Sequence, residues 1–208
     1  MISNSQPWDN LKFDVDGVDE CRRKFFGTLY NTYSFFALYA NIDGFTGQEA
    51  EVPVAERPEI DRWILSELNT LIKDVTKYLE DYDPTPAARC IDQFVNENLS
   101  NWYVRLNRKR FWGGELTTDK LAAYQTLYTC LETVVMLAAP IAPFISDRIF
   151  CDLNAVSGRH SEESVHLSTF PKCNEELINS ELEAMMQLAQ RASSMVLALR
   201  RKVNIKVR

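Results

Sequence analysis

Glycine and proline are scarce in this sequence, at 7 and 8 in 208 residues. An all-β chain with many tight turns needs more of both. Nothing approaches ~18 consecutive apolar residues, so no membrane-spanning helix is expected. The opening Met1-Ile2-Ser3-Asn4-Ser5-Gln6-Pro7 has neither a basic nor an apolar stretch and does not read as a secretory signal. Paired cysteine motifs are missing as well. Cys21, Cys90, Cys130, Cys151 and Cys173 are odd in number and far apart, and read as reduced core thiols of a cytoplasmic protein. Cys151, His160, His166 and Cys173 are spaced by nine, six and seven, which fits no compact zinc pattern, so no metal site is expected. No Gly-x-Gly-x-x-Gly, P-loop, Gly-x-Ser-x-Gly or His-Glu-x-x-His occurs. Glu59 and Asp61 are available for acid–base work, but at a helix start they read as partners of the positive helix end.

What is present is an ordinary globular balance, 46% hydrophobic and 25% charged. The periodicity is helical almost throughout. Apolar residues from Val18 to Ala40 recur at helical spacing, with Gly44 as the stop. A second stripe runs from Pro58 to Tyr82. A third helix opens at Pro86, with Thr85 as N-cap, and ends at Gly113-Gly114. Its inward positions read as Ala88, Ile91, Phe94, Val95, Leu99, Trp102 and Leu106. A fourth begins at Thr117-Thr118 and runs to Ala138, before Pro140 and Pro143. A short fifth covers 144–153. Residues 164–171 read as a brief extended piece in a polar stretch. Ser180-x-x-Glu183 reads as the capping box of a last long helix. The expected fold is all-α, a bundle of four to six helices. Both ends read as cut from a longer polypeptide.

The net charge is −6, yet the bases are unevenly placed. Residues 101–112 hold Arg105, Arg108, Lys109 and Arg110 and no acid. Residues 200–208 hold Arg200, Arg201, Lys202, Lys206 and Arg208 and no acid. The rest of the chain then has 14 bases against 29 acids, a balance of −15. An acidic body with two basic segments suits a protein that directs a polyanion to one place. The first segment also carries Trp102, Tyr103, Phe111 and Trp112 and the amides Asn98, Asn101 and Asn107. Guanidinium groups grip phosphates, amides read base edges, and exposed rings stack on unpaired bases, so this composition points to RNA. The bland alternative is a solvated basic face with core aromatics.

Four motifs in order carry a resemblance. Phe26-Gly27-Thr28-Leu29-Tyr30-Asn31 is similar to a "TLWN" helix, with Tyr30 where Trp is usual. Asp61-Arg62-Trp63-Ile64-Leu65-Ser66 matches a "DRWILS" opening. Ala139-Pro140-Ile141-Ala142-Pro143-Phe144 matches a proline-broken turn, with Asp147 where Glu is common. Asn101-Trp102-Tyr103-Val104-Arg105 and Arg108-Lys109-Arg110-Phe111-Trp112 complete the set. Together they resemble the anticodon-binding helical domain of class I aminoacyl-tRNA synthetases for branched aliphatic amino acids. The basic motif is similar to the isoleucyl type, eukaryote-like in sequence. Ser5 to Phe13 resembles the segment following the family's catalytic domain, and Leu197 to Arg208 the helix leading to its C-terminal part.

The resemblance implies three regions: 1–16 a linker, 17–153 the anticodon-binding bundle, and 154–208 a loop plus a C-terminal helix. It implies a module that docks the anticodon stem-loop of tRNA(Ile) through Asn101, Tyr103, Arg105, Asn107, Arg108, Lys109, Arg110 and Trp112. The parent would be an isoleucine–tRNA ligase, cytoplasmic and monomeric. ATP and magnesium would be held by its catalytic domain, since the "HIGH" and "KMSKS" signatures are absent here. The module alone would not catalyse, would take no cofactor, and would partner that catalytic domain but no membrane. The valyl and leucyl counterparts, or a helical adaptor binding an acidic protein, are the alternatives.

Overall fold

The computed structural model describes Trp8, Asn10 and residues 14–206. The expected linker lies largely outside the described residues, as does Arg208. Among the described residues, eight α-helices are joined by wider π turns into six rods. α1 (Val15–Cys21), a π segment (Arg22–Phe26) and α2 (Gly27–Asp43) form the first. α3 (Glu59–Glu80) is the second. α4 (Pro84–Gln93), a second π segment (Phe94–Val104) and α5 (Arg105–Phe111) form the third. α6 (Thr118–Ala138), α7 (Pro143–Ser157) and α8 (Ser180–Lys202) complete the bundle, and no strand occurs among the described residues. The expected all-α bundle is the observed one.

Several boundaries differ for local reasons. The Asp14 carboxylate accepts from the amides of Asp16 and Gly17, so the first rod starts before Val18. Thr85 is no cap: α4 begins at Pro84, whose preset φ suits a first turn, and Thr85 is buried within it. The 164–171 stretch contains a 3₁₀ turn, Val165–Leu167, in place of an extended piece. The capping box does not form. Asn179 caps α8 by accepting from the Leu182 amide, while Glu183 accepts from the hydroxyls of Ser66 and Thr70 on α3. Glu183 therefore ties two helices together instead of closing its own first turn.

α6 is the central rod, buried on nearly every side. It is long and apolar enough to cross a membrane by length and composition, but most of it is packed inside the bundle, as in the core helix of a globular fold. Around it lie the fully buried Trp63, Tyr103, Phe111 and Phe150, and α6 itself supplies the fully buried Tyr124. Phe111 meets Tyr124 edge-on at 5.1 Å and Phe35 at 5.3 Å, which fastens α5 to α6 and α2.

The third rod has a period of its own. Seven of its buried residues, Ala87, Ile91, Val95, Leu99, Tyr103, Asn107 and Phe111, follow one another every four residues, with Thr85, Phe94 and Val104 buried beside them. At 3.6 residues per turn, a step of four overshoots a full turn by ~40°, so six such steps would carry the stripe ~240° around the rod. The π turns of Phe94–Val104 slow that rotation and keep the stripe on the core. This phase overturns the expected one: Leu106 is exposed and Trp102 only half-buried, while Tyr103 and Asn107 turn inward.

One carboxyl at the α3–α8 junction is set against its ordinary charge state. Glu67 accepts from Trp63 Nε1 and Asn98 Nδ2, each at 3.1 Å. Burial first, and then the charge of Glu183, pushes its pKa from 4.5 up to about 7, against those two hydrogen bonds. A folded-state value above the unfolded one means a contribution fully present below pH 4.5 and lost as pH rises through about 7. Glu67→Gln is therefore expected to raise stability at pH 8 by about 1–3 kcal/mol and to flatten the fall across that window. Urea midpoints at several pH values check it, and an unchanged pH slope in the variant would contradict the assignment.

Candidate nucleic-acid interface

The inward four-residue stripe leaves a matching outward one. Gln93, Glu97, Asn101, Arg105 and Lys109 are exposed at the same interval, joined by Arg108 and Trp112. Gly113 and Gly114, with φ of +56° and +79°, take the left-handed conformation that ends the rod just after Trp112. Trp112 is left half-exposed at its tip. The side chains of Arg105, Arg108 and Lys109 have no ion pair or hydrogen bond among the described residues. Three free cations, an amide and an indole thus share one rigid rod.

Three expected RNA contacts are placed elsewhere. Tyr103 is fully buried and donates from its hydroxyl to Asp61 Oδ1 at 2.8 Å. Burial, then the charge of Asp61, holds that phenol well above its usual range. Asn107 is buried and donates to the Tyr103 carbonyl at 2.8 Å. Arg110 turns back into the bundle. It grips Asp61 bidentately, Nη1 to Oδ1 at 2.7 Å and Nη2 to Oδ2 at 2.9 Å. It also donates from Nε to Asp119 Oδ2 at 3.0 Å and from Nη1 to Asn107 Oδ1 at 3.1 Å. Burial disfavours this guanidinium, but Asp61's hydrogen bond and charge outweigh it and hold its pKa above the ordinary value. Asp61 itself is a fully buried ion-pair partner, not a helix-dipole residue at the surface.

These three placements have one geometry. At ~100° per residue, Tyr103, Asn107 and Arg110 lie ~140–160° around the rod from Arg105, so they face α3 and α6 when Arg105, Arg108 and Lys109 face water. Their role is to fix the rod that displays the others. The Asp61–Arg110–Asp119 chain spans α3, α5 and α6 and so anchors the rod's C-terminal end.

Two other sets of polar residues lie away from this face. Cys151 donates to the Glu163 carbonyl at 3.4 Å, and His160 Nε2 lies 2.9 Å from Glu132 Oε1 with its ring 4.9 Å from that of Phe150. Among the described residues no group of three or more His, Cys, Asp or Glu side chains gathers as metal ligands do. A groove beside Glu67 is lined by Thr70, Asp74, Cys90, Gln93 and Asn98. Its one strongly perturbed acid is already held by Trp63 and Asn98, which suits a packing role better than proton transfer.

Comparison with known proteins decides the family. The family described as "Anticodon-binding domain of tRNA ligase" matches residues 61–208. The chain belongs to that family. Over all 208 residues it is 71% identical to an isoleucine–tRNA ligase of Bacteroides thetaiotaomicron, covering 18% of that protein. It is 65% identical to the corresponding ligase of Porphyromonas gingivalis, again 18% of its length. Against the ligase of Dehalococcoides mccartyi it is 47% identical over 202 residues, 20% of that protein. The chain thus spans about a fifth of the curated relatives it matches. The matched region includes the Asp61–Arg110 clamp, the outward face and α8.

Proposed function

We propose that the face formed by Asn101, Arg105, Arg108, Lys109 and Trp112 docks the anticodon arm of a tRNA. The observation that carries this is three unpaired cations beside an exposed indole, on a rod fixed by a buried clamp, in a chain of the anticodon-binding family. Arginine and lysine hold phosphates, Trp112 offers a stacking plane for an unpaired base, and the Asn101 amide offers polar contacts to base edges. The acidic remainder discourages RNA from other faces.

In a longer isoleucine–tRNA ligase, such a module places the tRNA so that its distant acceptor end reaches the catalytic part. That whole protein joins isoleucine to tRNA(Ile) at the expense of ATP in the cytoplasm, working as a monomer. This sequence has no glycine-rich phosphate loop and no catalytic signature, so ATP and magnesium belong to the rest of such a ligase.

The test is a competition titration with an isoleucine-tRNA anticodon stem-loop against one with a scrambled anticodon, at two salt concentrations. With about three phosphates engaged, the log–log salt slope is expected at about −2 to −3. Preference for the true loop together with that slope supports anticodon docking. Salt-sensitive binding without preference reduces the face to a general polyanion surface, as an adaptor for acidic partners would show. No binding at low salt overturns the proposal.

A further inference from the structure

α8 belongs to the bundle for only part of its length. Leu182 is buried, Met186 packs on the core, and Gln190 donates to Asn98 Oδ1 at 3.4 Å. These lie four residues apart and define the side facing α3 and the second π segment. Beyond Gln190, every residue from 191 to 199 is exposed. The last ~12 residues of the helix, ~18 Å, therefore run clear of the bundle.

The exposed surface of α8 is not polar all round. Met185, Leu188, Met195, Val196, Leu199 and Val203 are each more than half exposed, and Ala192 lies among them. At ~100° per residue they fall within an arc of ~100°, turned away from the side that holds Leu182, Met186 and Gln190. Gln187, Ser194 and Arg201 occupy the opposite side, with Leu197 the one large apolar residue among them, 45% exposed, and Arg191 borders the stripe. A stripe this wide is the width of a core-facing surface, and a row of large apolar side chains left in water marks an interaction site.

We infer that this stripe is the seat of another segment of the same, longer ligase chain, an inference that rests on the chain being a module of such a ligase. Each of the relatives carries about four-fifths of its length outside the matched region, and the match spans the whole of α8. A tethered segment acts at an effective concentration of about millimolar, which favours it over a second copy of the protein in dilute solution. The side chains of the stripe make no contact that folds the bundle, so their apolar character is explained by what they cover. Covering them also stiffens the free half of α8 and with it the basic run Arg200, Arg201 and Lys202 at its end.

Hydrogen exchange over residues 185–203, without RNA, tests this in the longer ligase and in the 208-residue chain. Exchange in the short chain is expected to be fast, and in the longer ligase slower by about tenfold or more. Leu188→Glu with Val196→Glu is expected to abolish that protection while leaving the melting temperature of the short chain unchanged. Equal exchange in both chains overturns the inference. Slow exchange in the short chain that disappears on about a hundredfold dilution, with a dimer's mass, assigns the stripe to a second copy and overturns it too. The stem-loop titration on the same preparations reads RNA docking separately, so either reading fails on its own data.

Discussion

Replacing Arg110 with alanine is expected to lower the unfolding free energy by about 3–5 kcal/mol, the range for stripping one partner from a buried ion pair. Asp61 is fully buried, and its two oxygens receive Arg110 and the Tyr103 hydroxyl. Without Arg110 the carboxylate stays in the core with one neutral donor. Asp119 loses its guanidinium, and Asn107 loses the donor to its side-chain oxygen. Arg110→Lys is expected to recover only part of the loss, because one ammonium cannot reproduce the two-pronged grip on Asp61 while also reaching Asp119. Removing both charges with an apolar pair of similar volume, Asp61→Leu with Arg110→Met, should cost less than Arg110→Ala alone, since no charge is then stranded. Urea unfolding followed by circular dichroism provides the numbers. A loss below about 1 kcal/mol for Arg110→Ala would mean that water reaches Asp61 and that the clamp is not what holds the rod.

The clamp also shows where sequence reasoning stopped. Helix content, the α3 and α6 spans and the Gly113-Gly114 stop follow from periodicity and turn chemistry alone. So does the concentration of bases in 101–112. Which of those bases faces water does not follow, because that depends on a phase accumulated along 28 residues of the 84–111 rod. A 3.6-residue template centred on Trp102 and Leu106 puts Leu106 inside and Tyr103 at the edge of the core face, and the π turns carry Leu106 out and Tyr103 fully in. The signal was present as the strict four-residue recurrence of Ala87, Ile91, Val95, Leu99, Tyr103, Asn107 and Phe111. Such a series is too slow for an α-helix and is legible once a wider turn is admitted. Asp61 was hidden for a different reason. An acid in a first helical turn has a sufficient local explanation, and only the tertiary approach of Arg110, 49 residues away, supplies the stronger one. The resemblance located the interface by segment, but the structure divides that segment by side chain.

This division makes the second large prediction sharp. Replacing Arg105, Arg108 and Lys109 together with alanine is expected to weaken stem-loop binding by about 10- to 100-fold at low salt and to bring the salt slope close to zero, each phosphate contact contributing about 0.7–0.9 to it. The fold should be untouched, with a stability change within about 0.5 kcal/mol, because the three side chains are exposed and engage no partner among the described residues. Trp112→Ala should behave differently. Losing a stacking plane costs about 1–3 kcal/mol of affinity but leaves the salt slope where it was, since no counterion is released by a ring. Tyr103→Phe differs from both: it removes the donor to Asp61 and lowers stability, while binding and its salt slope stay those of the parent chain. Isotherms at two salt concentrations with unfolding curves for each variant therefore separate residues that touch RNA from residues that aim them. If Tyr103→Phe changed the salt slope as the triple variant does, or if the triple variant unfolded the bundle, the outward face would not be the docking surface.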